Sequence, residues 1–313
     1  MPGTSASERQ TTSRVLLVRP ACFRANPETT ATNAFQRAGD APAAELLADA
    51  RREFDGLVAA LRAHGVDALV VEDTPEPEKP DAVFPNNWIS FHSDGTVVLY
   101  PLLAPSRRAE VRPELLAELE SRGVRAPRRL LDLRERAGPE FLEGTGSLVL
   151  DRVARVAYAC LSPRTSPGLL TRFCEELGYR AHGFRATDAR GTPIYHTNVM
   201  LSVGSHLAVA CLEAIDDGRE RDAVAAELAR SGHELVAITR AQLDEFAGNV
   251  LELCARTGEA LLVLSARARR ALRPEQLAVL ERHARLVSAD LTTIEHHGGG
   301  SARCMLAEVF GPR

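Results

Sequence analysis

The chain has 313 residues, with 38 Lys and Arg against 42 Asp and Glu, for a formal net charge of −4. No block of like charge occurs, so nucleic acid and anionic membrane surfaces are poor partners, and no apolar run approaches the ~20 residues that span a bilayer. An apolar content of 45% is ample for a sizeable core.

Residues 1–13 are polar and rich in Ser and Thr, without the apolar stretch of a signal peptide. They read as a disordered tail ahead of a single domain over 14–313, and the expected compartment is the cytoplasm. A strand over 15–18 leads into Arg19-Pro20-Ala21-Cys22-Phe23, placed to act as a lid. The segment 42–64 carries Leu46, Leu47, Ala50, Phe54, Leu57, Val58 and Leu61 on one helical face; Gly65 ends it and a strand over 68–71 follows.

From Asn87 a pattern begins that then repeats. A strand over 88–91 turns at Ser93-Asp94-Gly95 and returns over 96–100; a helix from 105 to about 121 and a strand over 130–133 follow. Asp-Gly between alternating segments is a strong hairpin signal. The second copy runs 147–150, turns at Asp151-Arg152, returns over 153–159 and takes a helix over 166–177, stopped by Gly178. A third runs 198–203, turns at Gly204-Ser205, returns to Cys211 and uses a helix over 219–231. The fourth opens at Asn249, turns at Thr257-Gly258, returns through Leu264 and uses 274–283 as helix. The N-terminal elements and a strand over 304–309 complete a fifth copy. Strand–strand–helix–strand units of this kind define an α/β fold that closes into a ring with few exposed edges; an open α/β sheet is the alternative.

Six cysteines stand at 22, 160, 174, 211, 254 and 304, with no CxxC pair and no His at zinc spacing. Reduced thiols are expected, and no metal. Cys160, Cys174, Cys211 and Cys254 sit in apolar patterned segments and read as core residues. Four polar segments precede strands at unit entries: Pro80-Asp81-Ala82-Val83-Phe84-Pro85-Asn86-Asn87, Leu142-Glu143-Gly144-Thr145-Gly146-Ser147, Ile194-Tyr195-His196-Thr197-Asn198, and His296-His297-Gly298-Gly299-Gly300-Ser301-Ala302-Arg303-Cys304. A ring brings such loops together at one pole. There they supply a thiol, an imidazole and a carboxylate, the composition of a nucleophile with its acid/base partner.

These segments resemble those of the guanidine-modifying enzymes, the superfamily of dimethylarginine dimethylaminohydrolase, arginine deiminase and the amidinotransferases. The resemblance implies a five-bladed α/β propeller with Cys304 as nucleophile, His196 as proton shuttle and Glu143 in support. It assigns substrate binding to Asp81, Phe84, Asn86, Asn87, Arg107 and Arg164, with the two arginines on the α-carboxylate of a small amino acid. It implies no metal or organic cofactor, and a homodimer is compatible with it. Asn86-Asn87 depart from the Glu-Asp of the dimethylarginine hydrolases, and Gly144-Thr145-Gly146 from their Gly-Gly-Asp. Neutral amides leave a cationic guanidinium uncompensated but suit a neutral ureido group. The combination is similar to the bacterial citrulline-utilisation hydrolases, with citrulline yielding ornithine, ammonia and carbon dioxide through a covalent Cys intermediate. The alternatives are a dimethylarginine- or arginine-type guanidine hydrolase, an amidinotransferase, or a binding protein built on the same ring.

Overall fold

The computed structural model describes residues 8–39 and 41–311. Its strands form five three-stranded sheets. Ile89–Phe91 pairs antiparallel with Thr96–Leu99, which pairs in parallel with Arg129–Asp132. Val149–Asp151, Val156–Cys160 and Arg180–Phe184 repeat that order, as do Leu201–Val203, Leu207–Ala210 and Glu234–Ala237. Leu251–Cys254, Ala260–Ser265 and Arg285–Ala289 form the fourth. In the fifth, Arg14–Arg19 takes the middle place, antiparallel to Ala307–Glu308 and parallel to Asp67–Glu72. Consecutive units touch, and the fifth touches the first, so the ring is closed. The parallel third strand requires a crossover, which is why a helix intervenes.

Local chemistry sets the turns. Asp94 Oδ1 accepts the Thr96 N–H at 2.8 Å, and Gly95 takes φ 89°, a conformation that favours glycine. Pro167–Leu177 ends at Gly178 with φ 69°. The helix Ala43–Ala63 buries Leu46, Ala50, Phe54, Leu57, Val58 and Leu61, the leucine, valine and phenylalanine side chains each contributing roughly 1.5–3 kcal/mol on full burial.

The apolar core is divided among the seams between units rather than gathered on the axis. Leu16 and Ala307 of the fifth unit pack with Trp88, Ile89 and Leu99 of the first. Val98 and Tyr100 pack with Leu150 and Phe173 of the second. The axis is therefore free for polar groups. Three positions before the first strand of each unit stand Asn86, Gly146, Asn198, Gly248 and Cys304.

Cys254, read with three other cysteines as core, is only half-buried and lines a surface groove, and three expected segments also differ from what is seen. The helix expected over 105–121 is two pieces, Pro105–Arg108 and Leu115–Ser121, because Pro113 has no N–H and disfavours helix at the residue before it. The strand expected over 304–309 shortens to Ala307–Glu308, and Cys304 lies on the 3-10 turn Ala302–Met305. Residues 8–13, read as tail, are docked: the Gln10 amide donates to the Leu150 and Val203 carbonyls, each at 2.9 Å, and accepts the Arg152 N–H at 2.8 Å. The rest of that tail, 1–7, lies outside the described residues. Among the described residues no helix is long and apolar enough to cross a membrane.

Candidate active site

Asp81, Phe84, Asn87, Arg107, Arg164, His196 and Cys304 line one small cavity. The buried side chains of Asn86 and Glu143 stand beside them. A wider surface groove of about 670 Å³ runs past Arg9, Arg128, Arg155 and Phe310, and none of the site residues expected from the sequence lines it.

Glu143 is the hub. Its Oε2 meets His196 Nε2 at 2.8 Å and lies 3.5 Å from both Arg107 and Arg164; its Oε1 accepts the Leu103 N–H at 3.0 Å. Burial alone would raise this carboxyl, but the Arg164 charge, the His196 bond and Arg107 outweigh it and hold the group well below the ordinary carboxylate range. Burial pushes His196 down to about 4 despite Glu143, so its ring is neutral near pH 7. A carboxylate only accepts, so His196 Nε2 carries the ring proton and Nδ1 is left as the base.

Gly146 shapes this arrangement. A Cβ there would stand 2.4 Å from Asn87 Nδ2 and 2.8 Å from His196 Nδ1. Glycine at this position is what lets the first and third unit entries converge.

Arg107, in the short helix before Pro113, is held by three hydrogen bonds, one from each nitrogen. Its fork grips Glu110 through two bonds of 2.9 Å, its third nitrogen donates to Asn87 Oδ1 at 3.0 Å, and Asp81 lies 3.7 Å away. Asn87 Nδ2 in turn donates to Asn86 Oδ1 at 3.1 Å. Burial pushes Glu110 up to about 7, against the opposing charge of Arg107. Arg164 donates to the Thr32 hydroxyl at 2.6 and 3.0 Å and to the Thr29 carbonyl at 3.1 Å, and its guanidinium lies over the Tyr195 ring.

The cover over the cavity is not the expected 19–23 stretch. It is the following segment, where Asn26 donates to Asp81 at 2.8 Å and Asn33 to the Gly298 and Gly299 carbonyls. Sequence reasoning also missed Glu110, and it gave no part to Tyr195, Asn198 or Asn249. Tyr195 donates to the Gly299 carbonyl at 2.6 Å. Asn198 and Asn249 each aim an amide N–H at Cys304 Sγ, at 3.3 and 3.2 Å. The one available signal was that Asn198 and Asn249 open the third and fourth copies. Among the described residues no cluster of His, Cys, Asp and Glu is placed to hold a metal ion.

Residues 19–311 match the family model described as N,N dimethylarginine dimethylhydrolase, eukaryotic. The chain belongs to that family, whose enzymes are hydrolases acting on carbon–nitrogen bonds within the amidinotransferase superfamily of guanidine-modifying enzymes. A search of curated proteins found no match. Among solved structures, a substrate-bound mutant of the N-terminal domain of ArgZ, an arginine dihydrolase of the cyanobacterial ornithine–ammonia cycle, aligns with a TM-score of 0.73 and 17% identity, covering 96% of this chain and 98% of that one. A mutant of AgrE in complex with L-arginine gives 0.73 and 18%, covering 96% and 40%. Dimethylarginine dimethylaminohydrolase, as an adduct with S-methyl-L-thiocitrulline, gives 0.64 and 16%, covering 95% and 99%. The present chain spans 41% of the longer ArgZ chain. At these identities the likeness is one of fold.

Proposed function

We propose that the chain hydrolyses the terminal carbon–nitrogen bond of a small ureido or guanidino amino acid, with citrulline preferred, using Cys304 as nucleophile. The observation that carries this is Cys304 and His196 on one cavity, with Glu143 bonded to the imidazole and the neutral Asn87, not a carboxylate, on the cavity wall beside Arg107. Arg107, Arg164 and Asp81 bind the amino-acid head group, whose carboxylate displaces part of the bonding Arg164 now makes to Thr29 and Thr32. Phe84 walls the substrate against the Gly-rich loop.

Cys304 sulfur attacks the ureido carbon while His196 Nδ1 takes the thiol proton. The proton passes to the leaving nitrogen, which departs as ammonia, and a thioester-type intermediate remains on sulfur. Water, deprotonated by His196, then attacks the same carbon. The S–C bond breaks, the thiol is restored, and the carbamate loses carbon dioxide to give ornithine. No metal or organic cofactor enters these steps. The proposal places the protein in the cytoplasm, where its thiols stay reduced.

The second reading, an arginine hydrolase, draws on the arginine dihydrolase fold relatives and on the Asp81 carboxylate at the cavity wall. A panel of citrulline, arginine, methylated arginines and agmatine, assayed for ammonia and ornithine, tests both. Release from none of them by the wild type would sink the proposal.

A further inference from the structure

Cys304 Sγ is met by two amide groups from two different units. Asn249 cannot be turned around: its Oδ1 accepts the Arg303 N–H at 3.1 Å, so its Nδ2 must face Asn198 O, at 2.9 Å, and Cys304 Sγ, at 3.2 Å. One side chain thus ties the sulfur both to the backbone just before it and to the entry of the third unit. Asn198 is the opposite case. Its Nδ2 donates to Sγ at 3.3 Å, while its Oδ1 is buried without a hydrogen-bond partner among the described residues. Burying an amide with one end unsatisfied is unfavourable, and this side chain makes no other described hydrogen bond. Cys304 is buried, so these donors replace water that would otherwise solvate a thiolate.

We infer that Asn198 and Asn249 form a two-donor cradle that stabilises the Cys304 thiolate and aims its lone pair, so that the sulfur is prepared by neutral amides rather than by an imidazolium partner. The inference rests on Cys304 being the nucleophile. Hydrogen bonds to the charged form favour that form. Two neutral donors achieve this without placing a fixed positive charge beside the incoming substrate. His196, neutral and held by Glu143, stays available for proton transfer.

The test is the pH dependence of Cys304 alkylation by iodoacetamide, in which sulfur forms a bond to carbon and iodide leaves. It is read without substrate by peptide mass analysis. In Asn198→Ala and in Asn249→Ala the midpoint should rise by about one pH unit each, so that labelling below the midpoint slows about tenfold. With substrate, kcat should fall while KM changes less than threefold. Asn198→Asp, nearly isosteric but an acceptor, should raise the midpoint further than Asn198→Ala does. If Asn249→Ala fails to fold, the Asn198 variants still decide, because that side chain supports nothing else described. Unchanged midpoints in folded Asn198→Ala and Asn198→Asp would overturn the inference. Full turnover by Cys304→Ala would instead overturn the proposed function, whatever the midpoints.

Discussion

Glu143 holds His196 from behind, Oε2 to Nε2 at 2.8 Å, while its other oxygen is anchored on the Leu103 N–H at 3.0 Å. The backbone bond fixes the carboxylate and the carboxylate fixes the ring, so the proton sits on Nε2 and Nδ1 is left unprotonated. Glu143→Gln keeps the size but offers either a donor or a weaker acceptor to Nε2. The expected loss in kcat is about 10²-fold or more, with KM changed far less. Steady-state kinetics on the folded variant check it, and a kcat within threefold of wild type would remove Glu143 from the proposed machinery.

Cys304→Ala and His196→Ala should each bring turnover to background. Both residues sit in entry loops, so circular dichroism and the melting temperature should stay close to wild type. Rapid-quench mass spectrometry should find a substrate-derived adduct on Cys304 in the wild type. Residual turnover in Cys304→Ala above a tenth of wild type would mean that another group attacks.

Substrate charge is the finer point. Asn87 spends its acceptor on Arg107 and its donor on Asn86, so this pair brings no formal charge to the cavity. Citrulline should be used at least ~10-fold more efficiently than arginine in kcat/KM, about 1.4 kcal/mol. Asn87→Asp should narrow or reverse that ratio. Arginine preferred by the wild type would move the chain to the guanidine-hydrolase reading.

Gly146→Ala gives the sharpest geometric forecast. The added methyl cannot coexist with Asn87 Nδ2 and His196 Nδ1 where they stand, so both side chains must shift. Displacements near 1 Å cost on the order of 10²-fold in rate, whereas the melting temperature should move by only a few degrees. Kinetics beside calorimetry would separate the two, and normal kcat in Gly146→Ala would show that the convergence of these side chains is not needed.

Acid should loosen the site as well as silence it. His196 is depressed to about 4 in the folded chain, against an ordinary value of 6.5. The unfolded chain therefore binds the extra proton first, and the stability from keeping this ring neutral is full above pH 6.5 and lost as pH falls toward 4. Glu143, also depressed, loses its contribution in the same direction, below its ordinary 4.5. His92 is held down by burial too, so comparison with His196→Asn isolates the effect. The fall in melting temperature between pH 6.5 and 4 should be smaller in the variant by roughly 2–4 °C; parallel curves would contradict it.

Much of this molecule was legible in the sequence because its signals are local. Asp94-Gly95 and Gly178 mark a turn and a helix stop through backbone conformation alone, and the apolar stripe of 43–63 needs only the helical period. What escaped is what depends on distant partners. Gln10 looks like tail because its bonds reach Leu150 and Val203, 140 and 193 positions away. Asn249 looks like a strand entry until Cys304 is beside it, and Asn26 and Asn33 look like ordinary loop polarity until Asp81 and the Gly-rich run close beneath them. The break before Pro113 was written in the chain, yet the helical composition around it hid the consequence, a separate short turn that delivers Arg107.

The closing sheet has one more implication. Cys304 belongs to the segment that, three residues on, pairs with Arg14–Arg19. The amides that hold its sulfur come from the third and fourth units. Under the proposed mechanism, the sulfur is therefore set against these amides only where the closing strands have paired. Reactivity at this single sulfur would then serve as a chemical clock for completion of the ring, and a partly assembled chain should label at Cys304 like an ordinary cysteine.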